Sequence, residues 1–264
     1  MKGGDDMILT DMNTHTNADL CAFSTLTENV AAAKRAGLRG IAVTDHSPSL
    51  SSAPKGEYLT YIKENIPSEI DGVHIYKGVE LNINGLGTAD YDYNFEDLLD
   101  MDWVVAAFHP AYKDIHPSEA QVTDTYMRIL QNPCIMVLGH ADRYNCRFDY
   151  KKVASTLKDS GRLIELNNSS LRYNGKENRK NTYDLVKVCK EVGESIVVSS
   201  GSNIACDVGD FREAEELLCE LDFPSDLIIN NDTDKLNAYI SKFVEWKRYE
   251  VNIAQYQRRK LVKV

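Results

Sequence analysis

The stretch GIAVTDH (40–46) joins a short apolar run directly to a histidine. The same pattern returns in WVVAAFH (103–109) and CIMVLGH (134–140), and His15 comes shortly after the run ILTDM (8–12). Apolar runs of this length, without polar alternation, are typical of strands that are buried on both faces of a parallel sheet. The sequence therefore predicts parallel strands whose C-terminal ends carry histidines.

Further apolar runs alternate with helical segments along the rest of the chain. The other runs are VHIYKGVELNI (73–83), RLIELN (162–167), SIVVSS (195–200) and a late DLIINN (226–231). Helices are predicted after the capping residue Thr25, across 181–192 and across 211–221, where apolar residues recur at helical spacing. Strand followed by helix, about seven times over, is the signature of an α/β barrel. We therefore predict a distorted TIM-like (β/α)7 barrel, a single domain over 1–264 with a late helix and a basic C-terminal tail at about 232–264.

Composition narrows the class of protein and its partners. The 264 residues are 43% hydrophobic and carry a net charge of −10, which suits one large core and argues against nucleic acid as a partner. No stretch is long and apolar enough to cross a membrane, and the first residues lack a signal-peptide core. Six scattered cysteines without a C-x-x-C pair indicate reduced thiols. We expect a cytoplasmic protein that acts on a small metabolite, with the basic tail as a candidate contact in a homo-oligomer.

Strand-end histidines and one glutamate are candidate metal ligands. The C-terminal ends of parallel strands meet at one mouth of a barrel, so residues distant in the sequence converge there. Imidazole and carboxylate groups gathered in this way bind Zn²⁺, Mn²⁺ or Fe²⁺. The alternative, in which each histidine only caps its own strand, requires an independent coincidence on every strand. The candidates are His15, His46, Glu80, His109 and His140.

Several short motifs occur in a fixed order along the chain. They are DMNTHT (11–16), AFSTL (22–26), TDHS (44–47), GVELN (78–82), FHP (108–110), GHAD (139–142) and ELNNSS (165–170). Together they resemble the strand-end motifs of the PHP (polymerase and histidinol phosphatase) family, nearest its stand-alone bacterial phosphatases. The resemblance covers almost the whole chain, from about Asp11 to about Phe243. It implies a distorted barrel that holds up to three metal ions and hydrolyses phosphate esters.

The resemblance is incomplete at its two ends. The family's opening H-x-H reads Asn13-Thr14-His15 here, and the next ligand position falls on Cys21, whose thiolate is a good zinc ligand. The closing D-x-H reads Gly201-Ser202-Asn203 or, two residues later, Asn203 and Ala205. The resemblance therefore implies fewer ions than the family's full complement. The implied metal ligands are His15, Cys21, His46, Glu80, His109 and His140.

Glu80, His109 and His140 form the ligand set that the resemblance leaves intact, and we assign catalysis to them. Three protein ligands and an open position are what a catalytic zinc uses to activate water. The predicted reaction is hydrolysis of a small phosphorylated metabolite by a metal-bound hydroxide. Arg143 and Arg172 are candidates to hold the phosphate, although either could be an ordinary surface arginine, and Asn168 is a candidate to line the pocket.

Two other functions fit parts of the same sequence. Asn13, Gly201 and Asn203 favour a barrel that has lost hydrolysis and acts as a binding, regulatory or structural protein. A metal-dependent amide hydrolase on a related barrel needs the same opening histidines and closing aspartate, so the same losses count against it. The sequence leaves open whether hydrolysis survives, which metal is bound and which substrate is used.

Overall fold

A barrel of parallel strands is the framework of the molecule. The computed structural model describes the backbone of residues 7–86, 92–109, 117–143, 146–173 and 175–261. Within these ranges seven parallel strands form a nearly closed barrel in the order β1-β2-β4-β5-β6-β7-β8, while β3 pairs antiparallel with β4 outside that order. The predicted α/β barrel is therefore confirmed. The strands are β1 (Thr10–Thr14), β2 (Gly40–Val43), β3 (Glu69–Ile70), β4 (Val73–Asn82), β5 (Trp103–Ala107), β6 (Val137–Leu138), β7 (Leu163–Asn167) and β8 (Ile196–Ser199).

The helices follow the strands in the predicted alternation. The first helix begins after Thr25, as predicted, and Thr25 and Glu28 form a reciprocal capping box. The helix predicted over 181–192 begins earlier, at Gly175, and the late helix continues through Leu261, so most of the predicted tail is helical. The helices are α1 (Leu26–Arg35), α2 (Tyr58–Asn65), α3 (Phe95–Leu99), α4 (Glu119–Ile129), α5 (Tyr150–Ser160), α6 (Asn168–Tyr173), α7 (Gly175–Val192), α8 (Arg212–Glu220) and α9 (Thr233–Leu261).

The late apolar run does not form a strand. It forms two turns of 3-10 helix, Ser225–Leu227 and Ile229–Asn231. Asn230, which is fully buried, joins the two end strands of the barrel. Its Nδ2 donates to the carbonyls of Thr10 and Val198 at 2.7 Å each, and its Oδ1 accepts from the Val198 amide at 3.0 Å. One side chain thus takes the place of ladder hydrogen bonds between β1 and β8.

The inward face of β7 changes from apolar to polar along the strand. Leu163, Glu165 and Asn167 share this face because alternate residues of a strand point the same way. Leu163 belongs to an apolar cluster inside the barrel, to which α9 contributes Leu236 and Ile240. The N-terminal end of the barrel is therefore filled by apolar side chains, and the polar residues collect at the C-terminal mouth.

Candidate metal centre

Glu80, near the end of β4, is the centre of the polar cluster at the mouth. Its Oε1 lies 2.8 Å from Nε2 of His109 and 2.7 Å from Nε2 of His140, and its Oε2 lies 3.4 Å from Nε2 of His15. All four side chains are buried. Burial would raise the pKa of Glu80, but the charge of His140 and the close contacts of the three histidine rings with the carboxyl group hold it well below its usual value. Glu80 is therefore a carboxylate.

Asn82 fixes which nitrogen of His109 carries the proton. The Asn82 amide donates to Ser49 and Asn84, so its Oδ1, 2.8 Å from Nδ1 of His109, is left as an acceptor. Burial lowers the pKa of His109 to about 3, so the ring is neutral. Its Nε2 then turns a lone pair toward the Glu80 carboxylate at 2.8 Å. Two such lone pairs repel each other unless a cation lies beside them, so this donor set fits a metal ion.

A second group of possible ligands lies on the other side of His15. His46, which stacks on His15 with ring centroids 4.4 Å apart, contacts Asp19 through Nδ1. Sγ of Cys21 lies 3.2 Å from Oδ1 of Asp19 and 3.9 Å from Nδ1 of His46. Burial and the Asp19 carboxylate raise the pKa of Cys21 to about 12. Without a cation, Cys21 is therefore a thiol, and the thiolate expected from the sequence is the form that would bind zinc.

Asp19 was missed in the sequence. Burial raises its pKa, but hydrogen bonding to His46 and the charge of that ring outweigh burial and hold the pKa below its usual value. Oxygen, sulfur and nitrogen atoms of Asp19, Cys21 and His46 all lie within 4.8 Å of one another. The only signal in the sequence was the short distance along the chain from His15 to Asp19, which gives no direction for the side chain.

Asn13 connects Glu80 to a second buried carboxylate, Glu165. Its Nδ2 donates to Oε2 of Glu80 and to Oε1 of Glu165, both at 3.0 Å, and its Oδ1 accepts from Thr44 at 2.9 Å. Oε2 of Glu165 accepts from the backbone amide of His140 at 2.8 Å, where the His140 φ is +27°. Glu165 thus holds His140 in a strained left-handed conformation that few non-glycine residues adopt.

Glu165 is the second residue that the sequence reading missed. It opens the motif ELNNSS and stands at the end of an apolar run, which is the same signal that identified the histidines. Three neutral side chains donate to Oε1 of Glu165: those of Asn13, Asn167 and Ser199. Its strand-end position could therefore have identified it, but the set of donors around it could not have been read from the sequence.

Position 201 has no room for a side chain. Gly201 has a φ of +63°, and a Cβ built there would lie 2.5 Å from Oδ1 of Asn167. Asn167 itself donates to Glu165 and accepts from the Ser170 amide, so it is held in place. Asn203 lines the same mouth and its Oδ1 lies 3.9 Å from Sγ of Cys21.

The predicted phosphate ligands lie in different environments. Arg143 lines the mouth with the histidines, its Nη2 is 3.5 Å from Nε2 of His140, and its buried Nε has no partner among the described residues. Arg172 pairs with Asp207 at 3.3 Å and with Asp210 at 3.1 Å, in an adjoining cavity. The Asn168 side chain also faces that adjoining cavity, where it donates to Glu213 and accepts from the Ala214 amide.

The mouth is a cavity large enough for a small metabolite. Its volume is about 630 Å³, within the range of small-molecule sites. The adjoining cavity measures about 240 Å³ and shares Ser169, Tyr173, Gly201 and Asn203 with it. Phe23, 76% exposed, lies on the rim of the smaller cavity. Among the described residues, no helix has the length and apolar character needed to cross a membrane.

Curated bacterial phosphatases share about a third of their residues with this chain. A probable phosphatase of Thermoanaerobacter sp. (strain X514) is 32% identical over 236 residues, covering 89% of this chain and 95% of its own length. A probable phosphatase of Caldanaerobacter subterraneus subsp. tengcongensis is 33% identical over 236 residues, which cover 89% of this chain and 92% of its own length. No family model matches the sequence.

Solved structures show the same fold at lower identity. The histidinol phosphate phosphatase of Lactococcus lactis, complexed with zinc, L-histidinol and phosphate, superposes with a TM-score of 0.60 at 17% identity, over 83% of this chain and 95% of that one. At this identity the similarity shows the fold alone. The level of identity and the coverage of the curated sequences show the family, and this chain belongs to the family of those bacterial probable phosphatases.

Proposed function

We propose that this protein is a metal-dependent phosphoesterase of the PHP type that hydrolyses a small phosphorylated metabolite. The observation that carries the proposal is the cluster of Glu80, His109 and His140, whose ligand atoms lie within 4.8 Å of one another. The tautomer of His109 set by Asn82 leaves Nε2 free to bind an ion beside the carboxylate.

The protein residues hold the ion and orient the substrate. A divalent ion such as Zn²⁺ or Mn²⁺, bound by Glu80, His109 and His140, would activate water and polarise a phosphoryl oxygen. Arg143 lines the same cavity and its Nη2 lies 3.5 Å from Nε2 of His140, so the guanidinium is placed to donate to a phosphate oxygen. Glu165 keeps His140 in position through its backbone amide.

We further propose that the centre holds fewer ions than a full PHP site. The Asn13 amide donates its two hydrogens to Glu80 and Glu165, so it faces the carboxylates as a donor and not as a ligand. Gly201 supplies no side chain, and Asn203 offers only a neutral amide. Asp19 adds a carboxylate to Cys21 and His46, which supports one additional site at that group.

The substrate is proposed to be a phosphate ester of a small organic alcohol. The zinc, L-histidinol and phosphate of the Lactococcus lactis structure are a precedent for such a ligand on this fold. The mouth beside Arg143 is proposed to bind the phosphate group. The adjoining cavity, which has Phe23 and Tyr173 on its walls, is proposed to bind the alcohol part of the substrate. A barrel without hydrolytic activity is the weaker proposal, because Glu80, His109 and His140 are together and buried.

The proposal is tested by measuring bound metal and phosphatase activity on the same preparations. We expect about one to two ions per chain by elemental analysis after incubation with zinc or manganese, and hydrolysis of p-nitrophenyl phosphate. His109→Ala should lose both an ion and activity, and Asn82→Ala should bind metal about 10- to 100-fold more weakly.

The matched control is His74→Ala. His74 lies at the start of β4, far from the mouth, with its ring against Tyr76 at 4.4 Å. This variant should keep the wild-type metal content and activity. Full metal content in each of the variants Glu80→Ala, His109→Ala and His140→Ala would overturn the assignment of the site. Bound metal without hydrolysis of any phosphomonoester would favour the binding protein instead.

A further inference from the structure

A second cavity lies at the opposite end of the barrel from the metal ligands. Its walls are the residues that lead into β7 and β8, including Arg162 and Glu194, and the inner face of α9. The first strand residue of β7, Leu163, lines this cavity, whereas Asn167 at the other end of the strand lines the mouth. Its volume is about 490 Å³, which is within the range of sites for small organic ligands.

Aromatic side chains of α9 form one wall of this cavity. Phe243 and Trp246 pack around Arg162, whose guanidinium carbon lies 5.9 Å and 5.1 Å from the two ring centroids. Arg162 is buried and donates to the carbonyl oxygens of Ile135 at 2.9 Å and Asn132 at 3.2 Å. The guanidinium is therefore fixed, and the aromatic wall is preorganised around it.

Among the described residues, two buried polar groups that line the cavity have no hydrogen-bond partner. Glu194 is 1% exposed, and its Oε1 makes no hydrogen bond within the described part of the chain. The same holds for the hydroxyl of Tyr239, which lies within electrostatic reach of both Arg162 and Glu194. Leaving such a group unpaired costs about 1–3 kcal/mol, so native proteins rarely do so without a functional reason.

The charges around the cavity favour an anion. The cationic side chains of Lys158, Arg162 and Lys242 line it, against the exposed carboxylate of Asp159. Burial raises the pKa of Glu194 to about 9, so at neutral pH this group is an uncharged carboxylic acid that can donate a hydrogen bond. An occupant must therefore offer acceptors and negative charge, together with an apolar surface for the aromatic wall.

We propose that this cavity is a second ligand site that binds a small aromatic carboxylate, separate from the metal centre. The ring packs against Phe243 and Trp246, and the carboxylate accepts from the hydroxyl of Tyr239 and the carboxyl group of Glu194. The nearby Lys158 supplies the balancing charge. The test of this second ligand site is independent of the phosphatase proposal, because none of these residues lines the mouth.

Trp246 provides a direct measurement of binding. The chain has two tryptophans: Trp246 lines the cavity, and Trp103 is fully buried with its ring 6.3 Å from that of Tyr239. A ligand in this cavity should therefore change the tryptophan fluorescence, and the variant Trp246→Phe separates the part that comes from Trp246. Phenylacetate is the probe, with phenylacetamide as the neutral analogue of the same shape. We expect a saturable change with phenylacetate and about tenfold weaker binding of the amide, since one charge-assisted hydrogen bond is lost.

Variants locate the site. Tyr239→Phe keeps the ring and removes the unpartnered hydroxyl, so it should weaken phenylacetate binding about tenfold. Trp246→Phe should remove the Trp246 part of the fluorescence change while calorimetry still detects binding. His109→Ala, at the mouth, should bind phenylacetate as the wild type does. Equal binding by Tyr239→Phe, equal binding of the amide, or a change that never saturates would each overturn the proposal. A Trp246 signal that depends on protein concentration and not on phenylacetate would overturn it in favour of a subunit contact.

Discussion

Asn230→Ala is expected to destabilise the barrel strongly although no metal ligand is changed. Asn230 is fully buried and makes three hydrogen bonds with backbone groups of β1 and β8, between the two end strands. Alanine would leave the carbonyls of Thr10 and Val198 and the amide of Val198 without these partners at a fully buried position.

The magnitude follows from these three contacts. A net hydrogen bond contributes about 1 kcal/mol, and each buried backbone group left unpaired costs about 1–3 kcal/mol. We therefore expect a loss of about 3–5 kcal/mol in the free energy of unfolding. This is a large part of the roughly 5–15 kcal/mol that holds a typical domain folded.

Urea unfolding followed by circular dichroism measures this loss directly. The matched control is Asn231→Ala, because the neighbouring side chain makes one exposed hydrogen bond, from Nδ2 to the Ser225 carbonyl at 2.8 Å. The control should lose less than about 1 kcal/mol. If Asn230→Ala lowers the free energy of unfolding no more than Asn231→Ala does, the Asn230 side chain does not join the two end strands and the barrel is closed by other contacts.

Three further predictions concern charge, space and substrate. Because the pKa of Glu194 is raised to about 9, the native state binds more protons than the unfolded state between about pH 4.5 and 9, and stability falls as pH rises through that window. Glu194→Gln should therefore raise the free energy of unfolding at pH 7, measured in urea, by about 3 kcal/mol. If the stability of this variant depends on pH as that of the wild type does, the prediction is contradicted. Gly201→Asp should lower thermal stability without adding a bound ion, because its Cβ would lie 2.5 Å from Asn167; a gain of one ion at full stability would refute the clash. Phe23→Ala, on the exposed rim, should raise KM for a ring-bearing phosphomonoester and leave KM for a small alkyl phosphate unchanged; equal effects on both would exclude the adjoining cavity as the alcohol site.

The strand-end histidines were predictable because the signal is local. An apolar run ending in a histidine fixes both the buried strand and the end at which the imidazole stands, and parallel strands bring those ends to one mouth. His15, His46, His109 and His140 all lie there, together with Glu80. The Thr25–Glu28 capping box was equally local and is present.

Other features depended on contacts that are distant in the sequence. Asp19 reaches His46 only because the turn after β1 folds back over the end of β2. The amide of Asn13 looks like a lost ligand in the sequence, and only the structure shows it donating to two carboxylates, 67 and 152 residues away. The apolar run 226–231 has the composition of a strand, but it forms 3-10 turns.

The sequence by itself determined the barrel class and the residue types that stand at its mouth. The spacing of apolar residues and the direction of each strand can both be read from a stretch of a few residues. The tertiary structure alone decided which groups became donors, which became possible ligands, and which position had no space for a side chain. The reason is physical: hydrogen-bond direction and steric room at Asn13, Gly201 and Glu165 are set by side chains from other strands. Their placement follows from the closure and register of the whole barrel.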